Sequence, residues 1–174
     1  MDEANRLVGD GTGFRVVPMT PEYALIMRSW EYEPPYTFYN NVNADIDTWI
    51  EELLDGSYYA ALNDDGHLAG HYAYGPNATL PAGHSVGAYD MPALDIGLGL
   101  RPDLTGHGLG LAFTRGCLEH ARAHLDPVAF RLSVVEWNQR AIRTYERAGF
   151  TRETSFRSSA GKDEVVFVVM TRER

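Results

Sequence analysis

Apolar positions recur along this chain with two periods, and the switches between them mark its elements. Near the start, Phe14–Val17 is a short apolar run closed by Pro18, which predicts a strand. Pro21 then opens a stretch in which Tyr23, Ile26, Met27 and Trp30 fall at helical spacing, so a helix is expected over Glu22–Trp30. Ile46, Trp49, Ile50 and Leu53 repeat that spacing. They predict a second helix over Asp45–Leu54, stopped by Asp55-Gly56. Tyr58–Leu62 and Leu68–Tyr74 read as strands around Asn63-Asp64-Asp65-Gly66, a hairpin turn. Gly75–Asp90 reads as a long loop or a strand extension. Strand Ala93–Leu100, helix Gly108–Leu125, strand Val128–Val135 and helix Gln139–Ala148 follow, and strands near Thr151–Arg157 and Glu164–Met170 close the chain. This order predicts one α+β domain over residues 1–174. Its centre is a single mixed, mostly antiparallel sheet of six to seven strands, flanked by about four helices.

The junction at Leu98–Leu111 carries the first chemical signal. A strand enters a glycine-rich turn that opens an apolar-faced helix. The N–H groups of Gly106, His107, Gly108, Leu109 and Gly110 then lack intrahelical partners, with the positive end of the helix dipole behind them. That is a site for phosphate, and glycine lets an anion reach the main chain. A plain helix start after a tight turn is the alternative. The turn is not a Walker loop, because Gly-x4-Gly-Lys-Ser/Thr is absent, and Gly-x-Gly-x-x-Gly does not occur around residues 97–110. Gly97 and Gly99, inside the strand, mark either a bulge or the close approach of a ligand.

A second motif lies downstream at Asn138–Phe150. Ala141, Ile142, Tyr145 and Ala148 recur at helical spacing, Asn138 stands at the N-cap position, and Gly149 fits a left-handed stop. Together the two segments resemble the GNAT superfamily of N-acetyltransferases, which bind acetyl-coenzyme A. The family's loop, Arg/Gln-x-x-Gly-x-Gly/Ala, is matched by Thr105-Gly106-His107-Gly108-Leu109-Gly110. Its later pattern, Asn-x-x-Ala-x-x-x-Tyr-x-x-x-Gly-Phe, is matched at Asn138, Ala141, Tyr145, Gly149 and Phe150. Thr105 departs from the family's Arg or Gln. It brings no charge, so pyrophosphate binding leans on backbone amides, joined by His107 or Arg101.

The resemblance implies that acetyl-CoA is the co-substrate, with its phosphates on residues 105–111, including Leu111. It implies a gap between the fourth and fifth strands that admits the pantetheine arm. There the main chain of Leu98, Gly99 and Leu100 could pair with the arm, and Asn138 would hydrogen-bond it. Tyr145 takes the role of proton donor to the departing thiolate. The acceptor would be a small-molecule or peptide amine, and a homodimer is compatible with the reading. A non-catalytic acyl-CoA-binding or sensory domain on the same fold is the alternative.

The general base is open. Asp95 is a carboxylate in an otherwise apolar strand, where desolvation would raise its pKa toward a useful range. Glu136, His84 and a water are the other candidates, and Ser133 could line the same gap. Trp30–Tyr39 suggests an acceptor pocket, with Tyr32, Tyr36 and Tyr39 as walls and Glu31 and Glu33 attracting a cation. Cys117 lies in a helical apolar pattern and reads as core rather than nucleophile. His120 and His124 stand four apart beside it, but no fourth ligand accompanies them, so no metal is expected.

Composition changes the picture in two respects. Residues 1–100 carry 15 Asp/Glu against 3 Arg, whereas residues 101–174 carry 9 against 12 Lys/Arg. A polyphosphate cofactor suits the second half and an amine the first, and a net charge of −9 argues against nucleic acid. No stretch approaches the roughly 20 apolar residues of a membrane span. Met1–Arg6 lacks the basic-then-apolar order of a signal peptide, so a cytoplasmic protein with no membrane partner is expected.

Overall fold

The apolar runs assemble into one seven-stranded sheet in a computed structural model that describes residues 13–40, 45–160 and 163–174. The reading of Met1–Arg6 therefore lies outside the described residues. The strands are β1 (Arg15–Pro18), β2 (Tyr58–Leu62), β3 (Leu68–Tyr74), β4 (Leu94–Leu100), β5 (Ala129–Val135), β6 (Thr151–Ala160) and β7 (Asp163–Glu173). They lie in the order β1-β2-β3-β4-β5-β7-β6, and every neighbouring pair is antiparallel except β4 and β5. The expected mixed, mostly antiparallel sheet is present.

Among the described residues five α-helices flank it: α1 (Pro21–Arg28), α2 (Ile46–Leu53), α3 (Pro81–His84), α4 (Gly110–Leu125) and α5 (Gln139–Arg147). Local chemistry starts α1 and α2. Thr20 caps α1 by accepting from Tyr23 N at 3.3 Å, with Pro21 at its first position. Asp45 caps α2 by accepting from Thr48 N at 3.1 Å. The one-turn α3 is the helix the sequence did not announce, because a single turn gives no periodicity to read. The β6–β7 hairpin also runs past its expected ends. Main-chain pairing carries it through Ser158-Ser159, where no apolar alternation survives.

Period 2 divides β3 between two cores. Tyr72 and Tyr74 face α4 and bond its carbonyls, Phe113 O at 2.8 Å and Cys117 O at 2.9 Å. They join Phe113, Leu118, Ile142 and Phe130 in the larger core. Next to Tyr72 in the chain but on the opposite face, His71 meets Trp30, which packs with Met27 and Leu53 in a second cluster under α1 and α2. Each fully buried Phe or Leu contributes about 1.5–3 kcal/mol to this framework. No helix of the described residues is long and apolar enough to cross a membrane.

Candidate active site

β4 and β5 pair at only two positions, Leu94 with Phe130 and Asp95 with Arg131. Beyond them β5 follows β7 to its end, and β4 follows β3 as far as the Leu100–Gly70 pair. The sheet forks from Ile96 onward. Arg101 N donates to Ala69 O on β3 at 2.8 Å, and main-chain groups alternate sides along a strand. By that alternation Gly97 and Gly99 turn theirs toward β3, while Leu98 and Leu100 turn theirs into the fork. The Leu100 carbonyl there already accepts from the Tyr32 hydroxyl at 2.8 Å. Leu98 is the residue whose N–H and C=O remain open to a ligand.

A charged pin sits where the fork begins. Arg131 donates twice to the Asp95 carboxylate, from Nε at 2.7 Å and Nη2 at 2.9 Å, and a third time to Met91 O at 2.7 Å. The guanidinium also lies 5.0 Å over the Tyr89 ring. This corrects the reading of Asp95 as the base. Both its oxygens are taken by a buried cation on the adjoining strand, so it holds the fork and has no open side toward a substrate. In sequence it stood alone in an apolar strand, and only the register supplied its partner.

At the open end of the fork, α4 begins with no side chain capping it, and its first main-chain bond is Phe113 N to Leu109 O at 2.9 Å. The preceding amides are therefore available to an anion. Gly106 and Gly108 both hold φ at +81°, and a Cβ at either would meet nothing within 4 Å. The turn needs glycine for its left-handed backbone, and the space beside it is open. Below it lies a cavity of about 280 Å³. Thr105, Gly106, Gly108, Gly110 and Leu111 line it together with Leu98 and Leu100, whereas His107 and Leu109 do not.

The charge at this cavity comes from an unexpected place. Arg101 is committed to Asp103, at 2.6 and 3.0 Å, and to Leu68 O at 2.9 Å. The Thr105 hydroxyl donates to Pro102 O at 2.7 Å. Neither is spare for a phosphate. Arg140 and Arg147 of α5 line the cavity instead, with Thr144 between them on the same face. Their seven-residue spacing was a visible signal that a loop-centred reading passed over.

A second cavity of about 470 Å³ shares Leu98, Leu100, Thr105, Arg140 and Ala141 with the first. Its walls are rings: Trp30, Tyr32, Tyr36, Phe38, Tyr39, Trp49 and Tyr58. Asn138 lines it too, but its amide is engaged at both ends. Oδ1 accepts from Ala141 N at 3.2 Å, capping α5, and Nδ2 donates to the Tyr39 hydroxyl at 2.9 Å. It fixes a wall, and its second N–H and second lone pair remain for the expected bond to the cofactor arm.

His71, absent from the sequence reading, completes this cavity. A Cβ on Gly99 would fall 2.3 Å from its Cε1, so the strand glycine makes room for an imidazole, not for a bulge. The Trp30 and Tyr58 rings stand 6.2 and 6.3 Å from it. Burial pushes the imidazole from 6.5 down to about 4, which keeps it neutral at physiological pH. Among the described residues, neither its Nδ1 nor Trp30 Nε1 has a hydrogen-bond partner. Tyr145 is half-buried against the larger core and lines neither cavity. Burial, reinforced by Tyr39 and Cys117, raises its phenol above the ordinary value, so it remains a proton donor.

A sequence model of the Acetyltransferase (GNAT) family matches residues 23–150. The chain belongs to that family. Its fold also matches solved structures at low identity. Spermidine N-acetyltransferase from Vibrio cholerae, in complex with CoA and spermine, superposes with TM-score 0.70 at 12% identity, covering 93% of this chain and 96% of that one. A GNAT-family acetyltransferase from Bacillus anthracis gives 0.69 at 11%, covering 92% and 94%. The yncA protein of Salmonella typhimurium, with its cofactor acetyl-CoA, gives 0.62 at 12%, covering 92% and 93%. The forked sheet is thus the GNAT arrangement.

The other expected residues of this GNAT chain are dispersed. Glu136 is exposed beyond β5. His84 bonds Thr79 Oγ1 at 2.9 Å, and Ser133 bonds the Tyr89 hydroxyl at 2.8 Å. None of the three lines either cavity, and neither do Glu31 and Glu33, which are exposed. Cys117 is fully buried, and desolvation pushes its thiol up to about 12, far from a useful nucleophile.

Proposed function

We propose that this GNAT chain moves the acetyl group of acetyl-CoA directly to a primary amine. The observation that carries the proposal is one fork with two cavities at its mouth, one floored by unpartnered main-chain amides and the other walled by rings. The residues suit the cofactor at the first, where open space beside Gly106 and Gly108 and the cations Arg140 and Arg147 meet the needs of a pyrophosphate. Leu98 offers its main chain to the pantetheine arm as an added strand would.

Acetyl-CoA supplies the activated thioester, whose carbon–sulfur bond breaks as the new carbon–nitrogen bond forms. The amine enters uncharged beside His71, which burial keeps neutral, and its nitrogen gives up a proton to solvent as the new bond forms. Tyr145, kept protonated by burial beside Tyr39, is the phenol that would donate to the departing thiolate once the arm reaches it. Similarity to a spermidine N-acetyltransferase supports an amine acceptor in general.

The test is release of free thiol from acetyl-CoA over a panel of amines, repeated with Tyr145→Phe. That variant keeps the ring, so the fold should hold. The expected result is a fall in kcat of about 10- to 10³-fold, with the KM for acetyl-CoA nearly unchanged. CoA binding with no thiol release on any amine would instead establish the non-catalytic, sensory reading.

A further inference from the structure

We propose that the acceptor is an aromatic amine taken up in its uncharged form, and that a polyamine is a poor fit. The inference rests on the transferase reading above and deepens it. Among the described residues, the acceptor cavity is a box of rings with no Asp or Glu in its lining. The nearest carboxylate in bonding contact with a wall is Glu52, which is exposed and accepts from the Tyr58 hydroxyl at a long 3.3 Å. An alkylammonium entering the box finds no buried counter-ion, and burying an unpaired charge is costly.

Rings alone can hold a cation by their faces. Here one ring already carries a cation, because the Arg140 guanidinium lies 4.0 Å over the Tyr36 ring. Its positive field reaches Tyr32 and Tyr39 across the cavity. A second cation would meet repulsion. His71 reports the same environment, since the box disfavours the protonated imidazole and would disfavour a protonated amine for the same reason.

What the box lacks is also specific. Trp30 is 7% exposed, and its Nε1–H is buried with no acceptor among the described residues. An indole N–H can only donate, so the acceptor molecule should carry an oxygen that receives it. His71 Nδ1, likewise unpartnered, matches the amino group. An aryl amine is neutral at physiological pH, needs no strong base before attack, and stacks in a ring-lined slot. A ring bearing both an amino group and an oxygen satisfies both orphaned atoms.

The experiment compares kcat/KM for 4-aminophenol, 4-methylaniline and spermidine by thiol release. The aryl amines should exceed spermidine by about 100-fold, the worth of an unpaired buried charge. Trp30→Phe keeps the ring and should erase a preference for 4-aminophenol over 4-methylaniline of about 5-fold. Equal or better turnover of spermidine, above all if Glu52→Gln abolishes it, would overturn the inference while leaving acetyl transfer standing. If no amine is turned over, the transfer reading fails. Quenching of tryptophan fluorescence then still decides the inference: quenching by 4-aminophenol alone supports it, and quenching by spermidine or by neither ligand overturns it.

Discussion

The two cavities share the end of β4 but are made of opposite materials. The one under the glycine turn is built from main chain, with Gly106, Gly108 and the bare start of α4 supplying its donors. The one among the rings is built from side chains on α1, α2, β2, β3 and the Trp30–Asn40 segment. A main-chain site needs a backbone shape, so it writes itself into one continuous stretch of glycines. A side-chain site needs only that distant positions converge, and nothing in the local sequence announces it.

Substitutions should separate these two constructions. The largest effect is expected at the pin they share. Asp95→Asn strips the buried Arg131 of its counter-ion and should cost about 3–5 kcal/mol in urea unfolding. Both CoA and amine binding should weaken together. Full stability with selective loss of the acidic limb of the pH–rate profile would restore Asp95 to the role of base. Next, Gly108→Asp forces a side chain onto a φ of +81° and places a negative charge at the phosphate floor. CoA affinity by calorimetry should fall by about 100-fold or more, with circular dichroism and amine binding unchanged. Parallel loss of amine binding would show that the cavities are not separable.

A smaller effect belongs to the aromatic side alone. The ordinary imidazole titrates near 6.5 and His71 near 4, so the unfolded chain takes up this proton first. The stability it confers is complete above about pH 6.5 and is lost as pH falls toward 4, by on the order of 3 kcal/mol. His71→Phe should flatten that window in thermal melts, and an unchanged slope would contradict a buried neutral imidazole. Cys117→Ala touches neither cavity and should leave turnover within about twofold. An acetyl adduct trapped on Cys117 would overturn direct transfer.

The same contrast explains what could be read in advance. The sheet, four of the five helices and the glycine turn before α4 followed from periodicity and glycine because each is local. Asp95 was misread because desolvation was visible in its apolar neighbours and Arg131, thirty-six residues on, was not. Asn138 was legible as a cap, but its second bond reaches Tyr39 from ninety-nine residues away. His71 lay inside a hairpin strand, Leu68–Tyr74, that was read for its fold alone. Its significance comes from Gly99 across the register, a pairing that no spacing rule foretells.

The fork has a consequence for how the protein exchanges its amide hydrogens with deuterated solvent. In an ordinary sheet the middle strands exchange last and the rims first. Here a central strand carries locked and open groups in alternation, with Gly97 and Gly99 bonded to β3 and Leu98 turned into the gap. Leu98 should therefore exchange like a rim residue while its neighbours hold their hydrogens. Slowing of that one position on addition of CoA would make the centre of the sheet an isotopic gauge of whether the cleft is filled.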